Sequence, residues 1–404
     1  MALGVAARRV ASGAKRRVLV LGGDRLGDFV REGFAALRAL ASDGCRPFDA
    51  DRTGLTLGET AAAVVLEEDG ADHLQGWGAG MDANHLTGPD RNGAGLAAAC
   101  RQALARGGVV TPALVIAHGT GTRYNDDAES LAYAAVCPTA PVTASKGLLG
   151  HSLGACGLAD AVLAVHIRRR GVVPGIHALS RRGCPGDIPL LGAGDHRVAD
   201  GPVLVANAGF GGLNGAILIG AQAPRPLDRV AVAVSARAEL DAAGWRCAER
   251  RGAWTEPAAG ASLPRLGARE VLGAIDASWG RMDLACRALV SLGRLLAPLP
   301  ADCAIMLLSE HGCAATDRAF EQARRSGAVD PQRFAYTLPS TAVGEASIRL
   351  ALHGAGMALL GANDGQGRAV ADELLAEGAS AVLLARIEAD RPPHLAWAEL
   401  RIRA

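Results

Sequence analysis

Two histidines of the sequence stand in glycine-rich segments that could carry chemistry. His118 lies within AHGTGTRYND, and His151 lies within SKGLLGHSLGA, where it follows Lys146 by five residues. Each segment follows a short apolar stretch typical of a buried strand, and α/β proteins place ligands at the carboxyl ends of such strands. A lone histidine beside glycine is usually structural. Here, however, two histidines follow predicted strands in the same way, and one of them has a lysine nearby. This arrangement is as typical of a catalytic pair as of two structural residues.

A third segment, NAGFGGLN at residues 207–214, forms a glycine-rich turn between two apolar strands. No helix start and no Lys-Ser or Lys-Thr pair follows it, so it matches a phosphate-binding loop poorly. Its backbone N–H groups could instead stabilise an oxyanion, with Phe210 as a bulky gate. A simple tight β-turn is the alternative interpretation.

A fourth segment, CRPFDADRTGLTLGE at residues 45–59, is rich in charged side chains. These side chains predict a structural network of four residues, Arg46, Asp49, Arg52 and Glu59. Cys45 is a weak nucleophile candidate, because a thiol needs a neighbouring base or cation to ionise and only Arg46 is adjacent. The segment therefore predicts structure rather than catalysis.

Strand-like and helix-like segments alternate along the whole chain, which predicts a layered α/β protein. In the first part, the predicted strands are 17–21, 61–66, 113–117, 141–144, 203–206 and 216–219, and the predicted helices are 95–106, 126–136 and 153–170. A proline-rich joint at 221–228 separates residues 1–220 from a second region, 229–404. In that region, the predicted strands are 230–234, 304–308, 357–360, 381–384 and 395–402, and the predicted helices are 282–296, 315–325, 341–352 and 367–376.

Composition excludes several classes of protein. The 404 residues are 50% hydrophobic, which excludes a disordered chain, and a net charge of +1 with 3% aromatic residues gives no basis for binding nucleic acid or an anionic membrane. The nine cysteines are never spaced as CxxC, so neither a metal site nor a disulfide framework is predicted, and a reducing cytoplasm fits them best. No apolar run reaches the roughly 18 residues that a membrane span needs. The Ala/Arg-rich residues 1–17 resemble a transit peptide in composition, but the spacing of Leu3, Val5, Ala6 and Val10 favours a helix that leads into the first strand.

In this order, the four segments resemble the C-terminal two-thirds of a β-ketoacyl-acyl-carrier-protein synthase, over roughly residues 1–220. The resemblance implies an α/β, thiolase-like fold with layered α-β-α-β-α architecture, N-terminally incomplete in its first unit. In that family, a cysteine takes an acyl chain as a thioester, malonyl carrier protein loses carbon dioxide, and the resulting carbanion attacks the thioester. Acyl carrier protein is thus the implied partner; its phosphopantetheine carries the substrates, and no other cofactor is implied.

The resemblance also implies roles for individual residues. His118 and His151 would be the active-site histidines, and Lys146 would order them. Two imidazole N–H donors aimed at the thioester oxygen would stabilise the enolate that decarboxylation produces. Other residues would complete the site, Phe210 and Gly211 as oxyanion hole and gate, and Thr120 and Thr122 as contacts for the pantetheine arm. The family's cysteine lies upstream of this region, in a segment like Thr-Ala-Cys-Ser-Ser, so we expect it to be missing from this chain.

The second region, from about 229 to 390, faintly resembles the N-terminal half of the same fold, most like reduced ketosynthase-like domains. The segments that carry this resemblance are WGRMDLACRAL at 279–289, LLSEHG at 307–312, FAYTLP at 334–339 and EGASAVLL at 377–384. Where an active synthase would read Ala-Cys-Ser-Ser, this chain reads GANDG at 361–365, so Asn363 falls near the nucleophile position. An amide cannot hold an acyl thioester, and this substitution resembles a chain-length factor.

The implied function is that of a β-ketoacyl synthase family protein of fatty-acid or polyene-type polyketide synthesis, without an evident nucleophile. One alternative is a non-catalytic, chain-length-factor-like partner subunit of a complete ketosynthase. Another is an enzyme that only decarboxylates malonyl carrier protein, which needs the histidines but no cysteine. A thiolase proper is disfavoured, because that family's second cysteine would lie near residues 207–215, which contain none. By analogy with the family, we expect a homo- or hetero-oligomer with ketosynthase-type subunits.

Overall fold

The computed structural model describes residues 1–260, 262–390 and 392–404, which form two compact units. The first unit comprises Met1–Asp82 and Gly88–Pro226, and the second comprises Ala83–Thr87 and Leu227–Ala404. The main division therefore falls within the proline-rich segment at 221–228.

The first unit alternates helices and strands along its length. Its elements in chain order are α1 (Ala2–Ala11), β1 (Arg17–Asp24), α2 (Asp28–Ala36), β2 (Thr60–Glu67), β3 (His73–Met81), α3 (Ala94–Arg106), β4 (Leu114–Ala117), α4 (Arg123–Val136), β5 (Val142–Ala144), α5 (Lys146–Leu149), a 3₁₀ turn (Leu153–Ala155), α6 (Cys156–Arg170), β6 (Val172–Pro174), β7 (Asp195–Arg197), β8 (Val203–Gly209) and β9 (Leu213–Gly220).

A five-stranded sheet in the order β3-β9-β8-β4-β5 forms the centre of the first unit. Strands β4, β5 and β8 run parallel, and β9 is antiparallel to both β3 and β8. In parallel strands the carboxyl ends lie at the same sheet edge. The loops that follow β4 and β5 therefore come together there, and these two loops carry the two histidines of interest.

Both faces of this sheet are buried. One face packs against α3 and α4 in a core that includes Leu96, Tyr133 and Leu204. The other face packs against α6 and α1, and this second core extends to Val20 of β1. Strands β1 and β2 pair antiparallel as a separate two-stranded sheet. Within this unit the layers thus run helix, sheet, helix, sheet.

The second unit also alternates helices and strands. Its elements are β10 (Val232–Leu240), β11 (Gly244–Cys247), β12 (Arg250–Ala253), α7 (Ala268–Leu272), a 3₁₀ turn (Trp279–Arg281), α8 (Leu284–Leu295), β13 (Ala304–Ser309), α9 (Ala314–Arg325), α10 (Pro331–Ala335), α11 (Ser340–Leu350), β14 (Gly356–Leu360), α12 (Asp364–Glu377), β15 (Ala381–Glu388) and β16 (Leu395–Arg403).

The second unit repeats the sheet topology of the first. Its strands follow the order β10-β16-β15-β13-β14, extended at one edge by the hairpin β11–β12. Strands β13, β14 and β15 are parallel, and β16 is antiparallel to β10 and β15. When the main strands of each unit are numbered along the chain, both sheets therefore read first, fifth, fourth, second, third.

The α/β alternation and the strands and helices that the sequence predicts are confirmed, with boundaries that move by a few residues. The strand predicted at 230–234 begins at Val232 and continues to Leu240. Strand β3 escaped prediction, because its glycines make HLQGWGAGM resemble a loop. Those glycines are needed for packing: a Cβ on Gly76 or Gly78 would lie 2.1 Å from a carbonyl oxygen of α3. In the part of the chain that the structure describes, no helix is long and apolar enough to cross a membrane.

Candidate active site

The loops after β4 and β5 bring the two histidines into contact. The ring centroids of His118 and His151 lie 5.1 Å apart, and the ring planes are nearly perpendicular at 87°. The His118 side chain is buried. Two imidazoles 33 positions apart in sequence thus form one site. They meet because their loops follow two adjacent parallel strands, β4 and β5.

The backbone around His118 is anchored by a buried carboxylate on α4. Glu129 accepts hydrogen bonds from the N–H groups of His118 and Gly119, at 2.8 and 2.6 Å. The hydroxyl of Tyr133 and the side-chain amide of Asn125 also donate to it, at 2.7 and 2.9 Å. Burial raises the pKa of Glu129, and the donors from Tyr133, Gly119 and His118, together with the charge of Lys146, act against that rise. The loop conformation after β4 is therefore fixed from helix α4.

The imidazole of His118 contacts strand β8. Its Nδ1 lies 3.0 Å from Oδ1 of Asn207, and Nδ2 of Asn207 donates to Oδ2 of Asp160 at 3.4 Å. Burial lowers the pKa of His118 well below its ordinary value, and the positive charge of Lys146 lowers it further. His118 is therefore a neutral imidazole at pH 7.

The imidazole of His151 is held from the opposite side of the site. The backbone N–H of Leu153 donates to its Nδ1 at 3.0 Å, and Sγ of Cys156 lies 3.5 Å from the same nitrogen. Burial and the charge of Lys146 lower the pKa of His151 to about 3. His151 is therefore neutral, and its proton is on Nε2.

Lys146 supplies the positive charge beside both histidines. Its ammonium group is 1% exposed and lies 3.5 Å from Oδ2 of Asp160. Oδ1 of Asp160 accepts a hydrogen bond from Ser145 at 2.6 Å. Burial lowers the pKa of Lys146, but the interactions of its ammonium group with Asp160 and Glu129 outweigh burial and raise the pKa overall. The lysine thus remains a cation at neutral pH.

The threonines and the cysteine near His118 bond within the protein. The hydroxyls of Thr120 and Thr122 lie 3.0 Å apart, and the backbone N–H of Thr122 donates to Oγ1 of Thr120. The thiol of Cys45 donates to the carbonyl of Thr120 at 3.2 Å. Burial raises the pKa of Cys45 to about 12, so this thiol stays protonated and is a poor nucleophile.

Phe210 lies in the turn between β8 and β9, three residues after Asn207. Its ring centroid is 5.9 Å from that of Phe34 on α2, so the side chain is half-buried against an aromatic neighbour. Gly211 and Gly212 follow with φ of +88° and +68°, conformations that favour glycine. The turn that carries Phe210 and Gly211 is therefore continuous with the strand that contacts His118.

The network predicted within residues 45–59 is wrong as a set, because its members bond to other segments. Asp49 accepts from Ser180 and from the backbone of Arg181, and Arg52 pairs with Asp127. The partners of the remaining two are also outside the set, with Arg46 paired to Asp43 and Glu59 accepting from the N–H of Leu26. Within the set, the Arg52 side chain donates to the carbonyl of Asp49, and the backbone N–H groups of Asp49 and Arg52 donate to the carbonyls of Arg46 and Asp49. The segment therefore ties several loops together.

In the second unit, Asn363 lies at the start of the helix that follows the third main strand. Its Oδ1 accepts from the N–H of Gln366 at 2.9 Å, and the Gln366 side chain accepts from the N–H of Asn363, which is a capping box. Nearby, Arg386 bonds Asp364 and Glu388, and Asn363 lines a cleft of about 560 Å³ with Glu310 and Arg386. The Asn363 side chain thus holds the end of a helix.

Sequence reasoning missed four polar partners of the histidines. Asn207, Asp160, Glu129 and Cys156 each contact an imidazole, its backbone or its lysine. A signal for two of them existed, because Glu129 and Asp160 are acidic residues among alanines on the helices that follow the histidine loops. An acidic residue on an otherwise apolar helix face needs a buried partner. Asn207 had no such signal, since it reads as part of a turn.

The order of the strands and the loops that carry this site define a class of proteins. Over its whole length, the chain has the fold of the PfaC keto synthase–chain length factor, with a TM-score of 0.75 at 14% identity over 57% of that chain. A ketosynthase in complex with its chain length factor from Xenorhabdus doucetiae is 29% identical over 55% of this chain and 57% of its own, with a TM-score of 0.51. The protein is thus thiolase-like in fold.

The family follows from the sequence matches. Residues 1–71 match the model of the β-ketoacyl synthase N-terminal domain, and residues 73–180 match that of the β-ketoacyl synthase C-terminal domain. The 3-oxoacyl-[acyl-carrier-protein] synthase 2 of Mycobacterium leprae is 35% identical over 209 residues, 46% of this chain and 50% of that protein. Through residues 1–180, the chain belongs to the thiolase-like β-ketoacyl synthase family. It spans 40 to 50% of the length of the curated relatives that it matches.

Proposed function

We propose that the first unit decarboxylates a malonyl thioester carried by acyl carrier protein, as the first half of a β-ketoacyl synthase reaction. The observation that carries this proposal is the perpendicular pair of neutral imidazoles, His118 and His151, beside a buried lysine. The matched relatives support it, since their names include 3-oxoacyl-[acyl-carrier-protein] synthase. The family also supports acyl carrier protein as the partner that delivers the substrate.

The chemistry needs a group that stabilises an enolate. When the bond between the carboxylate carbon and the α-carbon breaks, carbon dioxide leaves and the electron pair forms an enolate with its charge on the thioester oxygen. An N–H donor aimed at that oxygen stabilises the charge by about 3 to 4 kcal/mol. His151 carries its proton on Nε2 and is the donor that we assign to this task. The enolate then attacks an acyl thioester and expels its thiolate, or it takes a proton at carbon.

Condensation also needs an acyl group held as a thioester on the enzyme. The two cysteines that contact the site do not suit this task, because burial raises the pKa of both the Cys45 and the Cys156 thiol. Asn363 caps a helix and has no thiol. We therefore propose decarboxylation as the activity of these residues, and condensation as an activity that requires a nucleophile besides the cysteines at this site.

A second candidate function is that of a chain-length-factor-like partner of a complete ketosynthase. The observation that favours it is Asn363, which stands after the third strand of the second unit and stabilises a helix there. The likeness to a ketosynthase bound to its chain length factor is compatible with this role. In this case the chain would bind a ketosynthase-type subunit and change the length of its product without turnover of its own.

One experiment separates these functions. The purified chain is incubated with malonyl-acyl carrier protein, with and without an acyl-acyl carrier protein, and both carbon dioxide and β-ketoacyl product are measured. Release of carbon dioxide that is lost in His151→Ala supports the decarboxylase, and formation of β-ketoacyl product would show a complete synthase. His166→Gln, on an exposed position of α6, is the matched control. No turnover, together with altered product length when a ketosynthase is added, supports the partner subunit.

A further inference from the structure

We propose that Asn207, held in place by Asp160, fixes His118 in the tautomer that carries its proton on Nδ1. The two imidazoles then offer different groups, a bare Nε2 on His118 that accepts a hydrogen bond and an Nε2–H on His151 that donates one. Asn207 and Asp160 are positioning residues in this arrangement. The tautomer follows from the contacts alone, and its catalytic consequence rests on the proposed function.

The tautomer of His151 is fixed by a backbone group. The N–H of Leu153 can only donate, and it lies 3.0 Å from Nδ1 of His151. Nδ1 must therefore accept, and a neutral imidazole with an accepting Nδ1 carries its proton on Nε2. The thiol of Cys156, 3.5 Å from the same nitrogen, is a second donor on that side.

Asp160 faces its neighbours as an acceptor. One carboxylate oxygen lies 3.5 Å from the ammonium group of Lys146, and the other accepts from the hydroxyl of Ser145 at 2.6 Å. Both Lys146 and Asp160 are buried, with side chains 1% and 2% exposed. The ammonium group of Lys146 can only donate, so Oδ2 of Asp160 accepts, and this same oxygen faces the side-chain amide of Asn207.

The acceptor character of Asp160 orients the amide of Asn207. With Nδ2 toward Asp160 the amide donates to the carboxylate at 3.4 Å, and Oδ1 then faces Nδ1 of His118 at 3.0 Å. The reversed amide would place two oxygen acceptors against each other and lose this bond. Since Oδ1 of Asn207 only accepts, Nδ1 of His118 must donate.

The pair is therefore asymmetric, which changes the expectation of two N–H donors at one oxygen. His151 alone supplies an Nε2–H for the enolate oxygen. His118 offers a lone pair on Nε2, which suits a partner that brings a hydrogen, such as a water molecule. The lowered pKa of each histidine is consistent with this division, because both rings stay neutral at pH 7.

The tautomers are measured on the full chain labelled with ¹⁵N at the imidazole nitrogens, without any substrate. Long-range ¹H–¹⁵N correlation spectra distinguish a bare ring nitrogen from one that carries a proton. The variants His118→Gln and His151→Gln each remove one set of signals and so assign the two rings. We expect a protonated Nδ1 in His118 and a protonated Nε2 in His151. A protonated Nε2 on His118 in the unsubstituted chain overturns the proposal.

Substitution of Asn207 tests the cause. Asn207→Leu removes the acceptor, so we expect the His118 proton to move to Nε2, whereas Asn207→Gln keeps both an amide oxygen and an amide N–H and should keep the proton on Nδ1. Asn92→Leu, at an exposed position, is the control. Unchanged His151 signals report that the site is folded; in a folded Asn207→Leu chain, an unchanged His118 tautomer would refute the role of Asn207. If Asn207→Leu does not fold, Asn207→Ala makes the same test.

The catalytic consequence is measured separately. With malonyl-acyl carrier protein, we expect Asn207→Leu to lower kcat for carbon dioxide release roughly 100-fold with little change in KM, and Asn207→Gln to retain most of the activity. If a folded Asn207→Leu chain has the altered tautomer but full kcat, the tautomer of His118 does not matter for catalysis. If the unsubstituted chain releases no carbon dioxide, the proposed function fails while the spectra still decide the tautomer.

Discussion

Lys146 and Asp160 form a buried ion pair, with 3.5 Å between Nζ and Oδ2. The lysine begins α5 and the aspartate lies on α6, so the pair spans the loop that carries His151. A buried pair of this kind contributes little net stability, but each partner alone is costly to bury. The pair therefore makes the loop conformation depend on both residues.

The first prediction concerns this ion pair. We expect Lys146→Met to lower the free energy of unfolding by about 3 to 5 kcal/mol, because Asp160 is then buried without a cation. The double variant Lys146→Met with Asp160→Leu should lose much less, since it leaves no unpaired charge. Urea unfolding of both variants and of Asp160→Leu completes the cycle. Equal losses in the single and double lysine variants would show that the pair does not matter.

The second prediction concerns the pH dependence of stability. The pKa of His151 is lowered to about 3 in the folded chain, so between pH 6.5 and about 3 the unfolded state binds a proton that the folded state does not. The contribution of His151 is thus fully present above pH 6.5 and is lost as the pH falls, at about 1.4 kcal/mol per pH unit. In His151→Gln this loss is absent. Unfolding measured from pH 7 to pH 4 should show the two stabilities converging or crossing as the pH falls.

Buried acids with a raised pKa change the pH dependence of stability in the opposite direction. The stability of the unsubstituted chain is therefore compared with that of His151→Gln at each pH. Burial and the charge of Glu129 raise the pKa of Asp126 to about 7, so its contribution is lost as the pH rises toward 7. This contribution is the same in both chains and cancels in their difference. A pH-independent difference between the unsubstituted chain and His151→Gln would contradict the lowered pKa.

The third prediction concerns the loop after β4. Gly119 has φ of +47°, and an added Cβ would lie 2.6 Å from Cβ of Ala144. Gly119→Ala should therefore displace His118 and abolish carbon dioxide release. Gly171 has φ of +65° with no atom near an added Cβ, so Gly171→Ala carries only the backbone cost of about 1 kcal/mol. If Gly119→Ala still releases carbon dioxide, the conformation of the loop after β4 is not required for the reaction.

The fourth prediction concerns the cysteines at the site. Because burial keeps both thiols protonated, we expect Cys45→Ala and Cys156→Ala to release carbon dioxide at the rate of the unsubstituted chain. In Cys156→Ala the backbone N–H of Leu153 still holds Nδ1 of His151. An acyl adduct on either cysteine, detected by intact mass after incubation with an acyl-acyl carrier protein, would contradict this prediction.

The fifth prediction concerns the cap of α12. Asn363→Ala removes the side-chain oxygen that accepts from the N–H of Gln366 and should lower the free energy of unfolding by about 1 kcal/mol. Asn363→Ser keeps a capping oxygen and should retain most of the stability. Carbon dioxide release should be the same in all three chains, as judged from the malonyl assay. A loss of turnover in Asn363→Ala at full stability would assign this residue to the chemistry instead.

The sequence predicted most elements of the fold because the buried strands are short apolar stretches between glycines or prolines. Strand β4, for example, is LVIA with every residue buried. The apolar pattern did not predict β3, because this strand contains glycines where α3 packs closely against it. Those glycines interrupt the run of apolar side chains that is typical of a buried strand. The spacing of apolar residues indicates which side chains are buried, but it does not indicate which element packs against them.

The histidines were predictable and their partners were not. Each histidine lies in a glycine-rich segment at a strand end, which is a local pattern. The bond from His118 to Asn207 spans 89 positions, and that from Asn207 to Asp160 spans 47. These long-range hydrogen bonds depend on which strands are neighbours in the sheet. The strand order cannot be predicted from any single segment of the sequence.

The shared strand order of the two units gives one position two different uses. After its third main strand, the first unit carries Lys146 and His151, whereas the second unit carries Asn363 as a helix cap. A buried, charge-coupled imidazole makes a fold less tolerant of acid, and a capping asparagine makes a helix end firmer. The same position in the shared strand order is thus a buried, acid-sensitive loop in the first unit and a stabilised helix start in the second.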